Sequence, residues 1–185
     1  MNRTVRVTHL EMLSPADLRP SSKVPADALL LRASLPSPEL NRFLYTAVGG
    51  DWHWRDRLPW TYAQWMAWLD RPELETWVLY LSGTPAGYFE LELQGGDTVE
   101  IVYFGLMGRF AGQGIGGYLL SQAVSRAWAI RPGVGRVWLH TCSLDHPGAV
   151  GNYLARGFVV SKEETKTVDV PEGPSGPWPG AERPL

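Results

Sequence analysis

The stretch Ala111–Gly117, AGQGIGG, follows an apolar run, Val99–Leu106 (VEIVYFGL), and opens onto residues with helical spacing. Four glycines between positions 112 and 117 let the backbone turn tightly and come close to a partner, because no Cβ stands in the way. A turn that delivers a strand into a helix N-terminus presents free amide N–H groups and the positive end of the helix dipole, which together suit a phosphate. The question the chain poses is which phosphate-bearing molecule that turn would hold.

Spacing separates the readings. A P-loop requires lysine followed by serine or threonine after its last glycine, whereas Gly117 is followed by Tyr118 and Leu119. The dinucleotide fingerprint G-x-G-x-x-G is matched formally at Gly112, Gly114 and Gly117, but its context argues against it. That fingerprint opens the first βαβ unit and is followed by an acidic residue at the end of the next strand. Here three strands precede the one that feeds the turn, the next strand ends in Leu139-His140-Thr141, and too little chain follows to complete a six-stranded fold.

The elements around the turn predict a mixed α/β fold, with a mostly antiparallel central sheet flanked by helices. Val5–Met12 alternates as a strand, and the proline- and serine-bearing segment after it reads as loop. Ser37 caps a helix with Pro38 in its first turn that runs to Gly49-Gly50; Thr61 caps a second, short one bearing Trp65, Trp68 and Leu69 on a face. Trp77–Leu81 and Tyr88–Leu93 form a hairpin about a turn over 83–87, and Gln94–Asp97 turns into the strand Val99–Leu106. A helix from about Gly114 to Ala129, a strand over Arg136–Thr141, a short helix Pro147–Arg156 stopped by Gly157, and a last strand from Phe158 complete the order.

At 185 residues this is one domain, taken as residues 1–170, with a flexible proline- and glycine-rich tail over 171–185. A formal net charge of −2 gives no footprint for nucleic acid. No apolar run is long enough for a membrane span or a leader, and a single cysteine, Cys142, excludes an internal disulfide, so a cytoplasmic location is expected. Of nine tryptophans, Trp52, Trp54, Trp60, Trp65 and Trp68 crowd one short stretch.

From Phe104 through Phe158 the chain resembles the GNAT superfamily of N-acetyltransferases. The coenzyme A pyrophosphate loop of that family, [Arg/Gln]-x-x-Gly-x-[Gly/Ala], falls on Ala111–Gly116, with Gly114 and Gly116 matching and Ala111 standing where arginine or glutamine is usual. A second stretch, Ala149-Val150-Gly151-Asn152-Tyr153-Leu154-Ala155-Arg156-Gly157-Phe158, resembles the family's A-x-x-x-Y-x-x-x-G-F segment, with His146 where asparagine is frequent. The resemblance implies acetyl transfer from acetyl-coenzyme A to a primary amine of a small molecule or peptide, without a metal. It implies that Ala111, Gly112, Gln113, Gly114, Ile115, Gly116 and Gly117 hold the pyrophosphate and that backbone near Leu106, Met107 and Gly108 pairs with the pantetheine arm. Asp145 and His146 are expected to cap the Tyr153 helix close to the coenzyme, with Ala149 and Arg156 alongside.

The same resemblance makes Tyr153 the general acid that returns a proton to the thiolate, and Glu100 the general base. Strand alternation puts Glu100 on a face with Val102 and Phe104, where apolar neighbours would raise its pKa; Glu90 and Glu92 are the alternatives, at least one of them expected on a solvent face. His140, Cys142, Asp145 and His146 have poor spacing for a metal site. Trp52, Trp54, Arg55 and Arg57, on the linker between the first two helices, suit an acceptor carrying a carboxylate and an apolar or cationic part. Homodimerisation is left open, and the rival reading is an acyl-coenzyme A sensor or interaction module without turnover.

Overall fold

The computed structural model describes residues 2–170, 173 and 176–179. Seven strands form one sheet in the order β2-β3-β4-β5-β6-β1-β7. Its members are β1 (Asn2–Met12), β2 (Ala28–Arg32), β3 (Leu74–Leu81), β4 (Thr84–Leu93), β5 (Thr98–Leu106), β6 (Arg136–Cys142) and β7 (Val159–Asp169). Every neighbouring pair is antiparallel except β5 and β6. That parallel seam is short: only Thr98, Val99 and Glu100 align, with Arg136, Val137 and Trp138. Beyond it the two strands part.

Four helices flank the sheet: α1 (Pro38–Gly49), α2 (Tyr62–Leu69), α3 (Ile115–Ala129) and α4 (Ala149–Ala155). The caps expected for the first two are present. Ser37 Oγ accepts the Leu40 N–H, and Thr61 with Gln64 forms a reciprocal capping box. On one face of the sheet, Leu119, Leu120, Ala123, Val124 and Ala127 of α3 interlock with Leu10, Leu91, Val99, Ile101 and Leu139. On the opposite face, Leu44 and Val48 of α1 pack on Val78 and Tyr88, and Tyr45 with Trp65 and Leu69 of α2 on Leu74. Among the described residues no helix is long and apolar enough to cross a membrane.

Some expectations are revised. β2 falls where the sequence shows no strand pattern, and forms because Leu29 and Leu31 pair with Tyr80 and Val78 along the edge of the sheet. The β3–β4 hairpin turns at Ser82-Gly83, both with positive φ, so Gly87 lies inside a strand. β7 runs far beyond Phe158, pairing with β1 as far as Asp169. Much of the proposed tail lies outside the described residues; of what is described, Gly176 N–H donates to the Gly50 carbonyl at 2.9 Å.

Candidate active site

The geometry begins with an extra residue in β5. Glu90 of β4 pairs with Tyr103 and Leu91 with Ile101, so Val102 has no partner and forms a β-bulge. A bulge reverses the alternation downstream of it. Val99 and Ile101 before it, and Phe104 and Leu106 after it, all belong to the α3 face; Glu100, Tyr103 and Gly105 take the other. Glu100 therefore does not share a face with Phe104, as simple alternation predicted.

Where β5 leaves β6, no strand among the described residues pairs with its outer edge. Met107 N–H donates to the Ala86 carbonyl at 2.8 Å, which makes Ala86 and Met107 a hydrogen-bonded pair. Alternation from there turns the backbone groups of Leu106 and Phe104 away from β4, toward the gap where β6 no longer pairs. Leu106 and Phe104 thus turn backbone groups to that gap, whereas the Met107 N–H is taken within the sheet.

The strand runs through a single 3-10 turn (Gly108–Phe110) into the glycine segment, where Gly112 and Gly114 have φ of 75° and 79°. Gly114 is the N-cap of α3, and no side chain caps it, so the first amides of a 15-residue helix face outward. Lys23, on the loop after β1, reaches this turn: its Nζ is 3.1 Å from where a Cβ on Gly114 would stand. Arg156 Nη1 is likewise 2.5 Å from a Cβ placed on Gly117. No local pattern marked Lys23, because its position depends on how the loop folds back. Gln113 turns its side chain inward to the Arg109 carbonyl at 2.8 Å.

Bare edge and glycine turn open on one cleft of about 900 Å³. Of the residues expected here, Leu106, Gly108, Ala111, Gly112, Gly114, Gly116, Gly117, Asp145, His146, Ala149, Tyr153, Trp52, Trp54 and Arg55 line it; Met107, Gln113, Ile115, Arg156, Arg57 and Glu100 do not. Tyr153 is buried, with its ring edge-on to Phe104 and Phe158. Burial, and then the nearby Asp145 carboxylate, push its phenol well above the ordinary range, so it stays protonated. Asp145 does not cap α4, whose N-cap is Gly148. Its carboxylate instead accepts Trp54 Nε1–H at 3.0 Å, the Thr141 hydroxyl at 2.8 Å and the Cys142 N–H at 3.3 Å. His146 accepts the Gly148 N–H on Nδ1 and packs edge-on to Trp52. Neither side chain bonds the amides of the first turn of α4, and His146 stops at the N-cap residue itself.

The linker residues divide. Trp52, Trp54 and Arg55 wall the cleft, Arg55 donating to the Gly173 carbonyl at 2.9 Å. Arg57 is buried on the far side of that wall, donating from Nη1 to both Glu90 oxygens at 3.0 and 2.7 Å, and its guanidinium lies 4.3 to 5.7 Å from the ring centres of Trp68, Tyr103, Trp60 and Trp65. It is consumed by the fold and leaves the acceptor set. Glu90 also takes bonds from Asn41 and Trp68, and Glu92 pairs with Arg71 at 2.8 Å, so neither alternative to Glu100 faces open solvent or the cleft.

Glu100 is buried beneath the cleft. Its Oε2 accepts from Gln94 Nε2 at 2.7 Å, and its Oε1 lies 3.2 Å from Nδ1 of His140, which does line the cleft. Among the described residues no group of three or more His, Cys, Asp or Glu is arranged to hold a metal ion.

Residues 39–158, more than half of the chain, match the family model of the acetyltransferase (GNAT) family. Curated proteins yield no match. Among solved structures, a GCN5-related N-acetyltransferase from Sphaerobacter thermophilus is similar over 95% of this chain and 56% of its own, at 19% identity and a TM-score of 0.63. A GCN5-related N-acetyltransferase from Kribbella flavida is similar over 95% and 60%, at 17% identity and a TM-score of 0.62. A tandem GNAT protein from the clavulanic acid biosynthesis pathway is similar over 90% and 55%, at 16% identity and a TM-score of 0.57. The chain thus spans 55 to 60% of the length of these three structures, and at such identities they speak for the fold. The strand that parts from its neighbour, the uncapped glycine turn and the family model agree: the chain belongs to the acetyltransferase (GNAT) family.

Proposed function

We propose that this chain transfers the acetyl group of acetyl-coenzyme A to a primary amine of a small molecule or peptide, by direct attack on the thioester. The observation that carries the reading is the bare β5 edge at Phe104 and Leu106 running directly into an uncapped glycine turn, both on one cleft. Acetyl-coenzyme A suits those features: a pyrophosphate for the amides of Gly112–Gly117 and an amide-bearing arm for an unpaired strand edge. Lys23 and Arg156 supply positive charge beside the turn. The bound thioester supplies an activated acyl carbon. Tyr153, held protonated, gives its hydroxyl proton to the departing sulfur. Trp52, Trp54 and Arg55 form the acceptor wall, and Arg55 is the cation for an acceptor carboxylate.

The test uses Gly116→Val. A Cβ at Gly116 meets nothing nearer than Asn152 Nδ2 at 3.6 Å and Leu106 Cδ1 at 3.8 Å, so the variant keeps cooperative unfolding while the added methyls block the approach of a phosphate. Calorimetry should show coenzyme A affinity falling about tenfold or more, and thiol release with amines should fall with it. An unchanged affinity in the folded variant overturns the site. Coenzyme A binding by the parent protein with no thiol release for any amine leaves a binding module instead.

A further inference from the structure

His140 stands on β6 two residues past the last rung of the parallel seam, where the strand has just left β5. Its side chain is half exposed to the cleft, 48%, against 9% for Glu100 beneath it. The 3.2 Å contact between His140 Nδ1 and Glu100 Oε1 has a defined polarity. A carboxylate facing Nδ1 favours the tautomer with its hydrogen there, and the neutral ring then presents its Nε2 lone pair to the cleft. Glu100 is itself held from behind by Gln94, whose Oε1 takes the Trp138 indole N–H at 3.0 Å. Trp138 stacks on the His140 ring at 5.9 Å, so ring position and tautomer are set together. The carboxylate is thus placed to orient a histidine and not to meet a substrate.

We infer that His140 is the general base of the acetyl transfer, and that Glu100 is its positioning residue. This rests on the reading proposed above. His140 Nε2 takes one proton from the attacking amine nitrogen as that nitrogen bonds to the acyl carbon and the carbon–sulfur bond breaks. The Tyr153 proton goes to sulfur, and the proton on His140 returns to Tyr153 through solvent in the cleft, so the products are amide and thiol and both residues are restored.

The charged surroundings give the pH sign. Glu100 on β5 raises the His140 pKa above its ordinary value chiefly through the hydrogen bond, against the lowering effect of burial; Asp145 before α4 also raises it, and Lys166 on β7 lowers it. His9 on β1 lies 5.7 Å away, ring to ring, and is itself paired with Glu164 of β7 at 3.1 Å. A base must be deprotonated, so activity falls as pH drops through the raised His140 pKa. Removing the Glu100 carboxylate lowers that pKa and moves the limb to lower pH.

The experiment follows thiol release from acetyl-coenzyme A with a panel of primary amines across pH, for the parent protein, His140→Gln and Glu100→Gln, with histidine-ring NMR titration of each. The expected result is an acid limb of kcat/KM that tracks the His140 titration in the parent and shifts down with it in Glu100→Gln. His140→Gln should lose about 10² to 10⁴-fold in rate and lose the limb, with coenzyme A affinity unchanged. Three results overturn the inference: a His140→Gln protein that keeps rate and limb, a Glu100→Gln protein in which the His140 titration stays put, or a Glu100→Gln protein that loses all activity while His140→Gln keeps it. Coenzyme A binding with no transfer by the parent protein overturns the acetyltransferase reading itself, and is told apart because no variant is then needed.

Discussion

Arg57 is the residue on which most of the aromatic crowding turns. The residue is 3% exposed, its guanidinium bonded to Glu90 and ringed by three tryptophans and Tyr103, so removing it leaves a buried carboxylate without its cation. Arg57→Ala should cost about 3–5 kcal/mol in denaturant unfolding, while Arg55→Ala, on the cleft wall, should cost far less; a loss for Arg57→Ala no larger than for Arg55→Ala would contradict the cage. In the sequence these two arginines look alike, because each stands beside tryptophans. What separates them is Glu90, which lies 33 residues away along the chain. The same holds for Glu100 and His140: the carboxylate was visible on the strand feeding the glycine turn, but its pairing with His140 exists only across the β5–β6 seam. The placement of Tyr153 and of the glycines was legible because it depends on local geometry: a short helix closed by Gly157 at a φ of 100°, and a turn of positive φ before α3.

At the scale of elements, the bulge at Val102 decides whether there is a cleft at all. Without Val102, Ile101, Tyr103, Phe104, Gly105 and Leu106 would alternate regularly and keep the faces they now have, so the residue is dispensable for packing. Its effect is to bend β5 away from β6 after three rungs. Deleting Val102 should therefore leave a cooperatively folded protein whose β5 zips further along β6, with coenzyme A affinity lost. Calorimetry beside thermal unfolding checks this, and a deletion variant that binds coenzyme A as before would refute it. Helices and central strands were legible from caps and periodicity, since Ser37, Thr61 and the α3 stripe act within one element. Neither the bulge nor β2 was. An extra residue in a strand leaves no mark on composition, and Ala28–Arg32 becomes a strand only through the β3 edge beside it.

For the whole molecule, strand order governs time as well as shape. The strands β2 through β5 lie beside one another in chain order or nearly so, and β3, β4 and β5 are joined by short turns. β1, the first of the seven in chain order, has both its neighbours far downstream: Met12 aligns with Val137, Val7 with Cys142 and Asn2 with Asp169. Closing loops of that length comes late in folding, whereas hairpins close early. Pulse-labelling hydrogen exchange during refolding should protect amides of β3–β5 before those of β1 and β7, and simultaneous protection of all strands would count against the sequence of events. During synthesis the consequence is sharper. Leu10 and Met12 belong to the α3 core yet wait without their strand partners until β6 and β7 emerge, so the half of the sheet that bears His140 closes after the other.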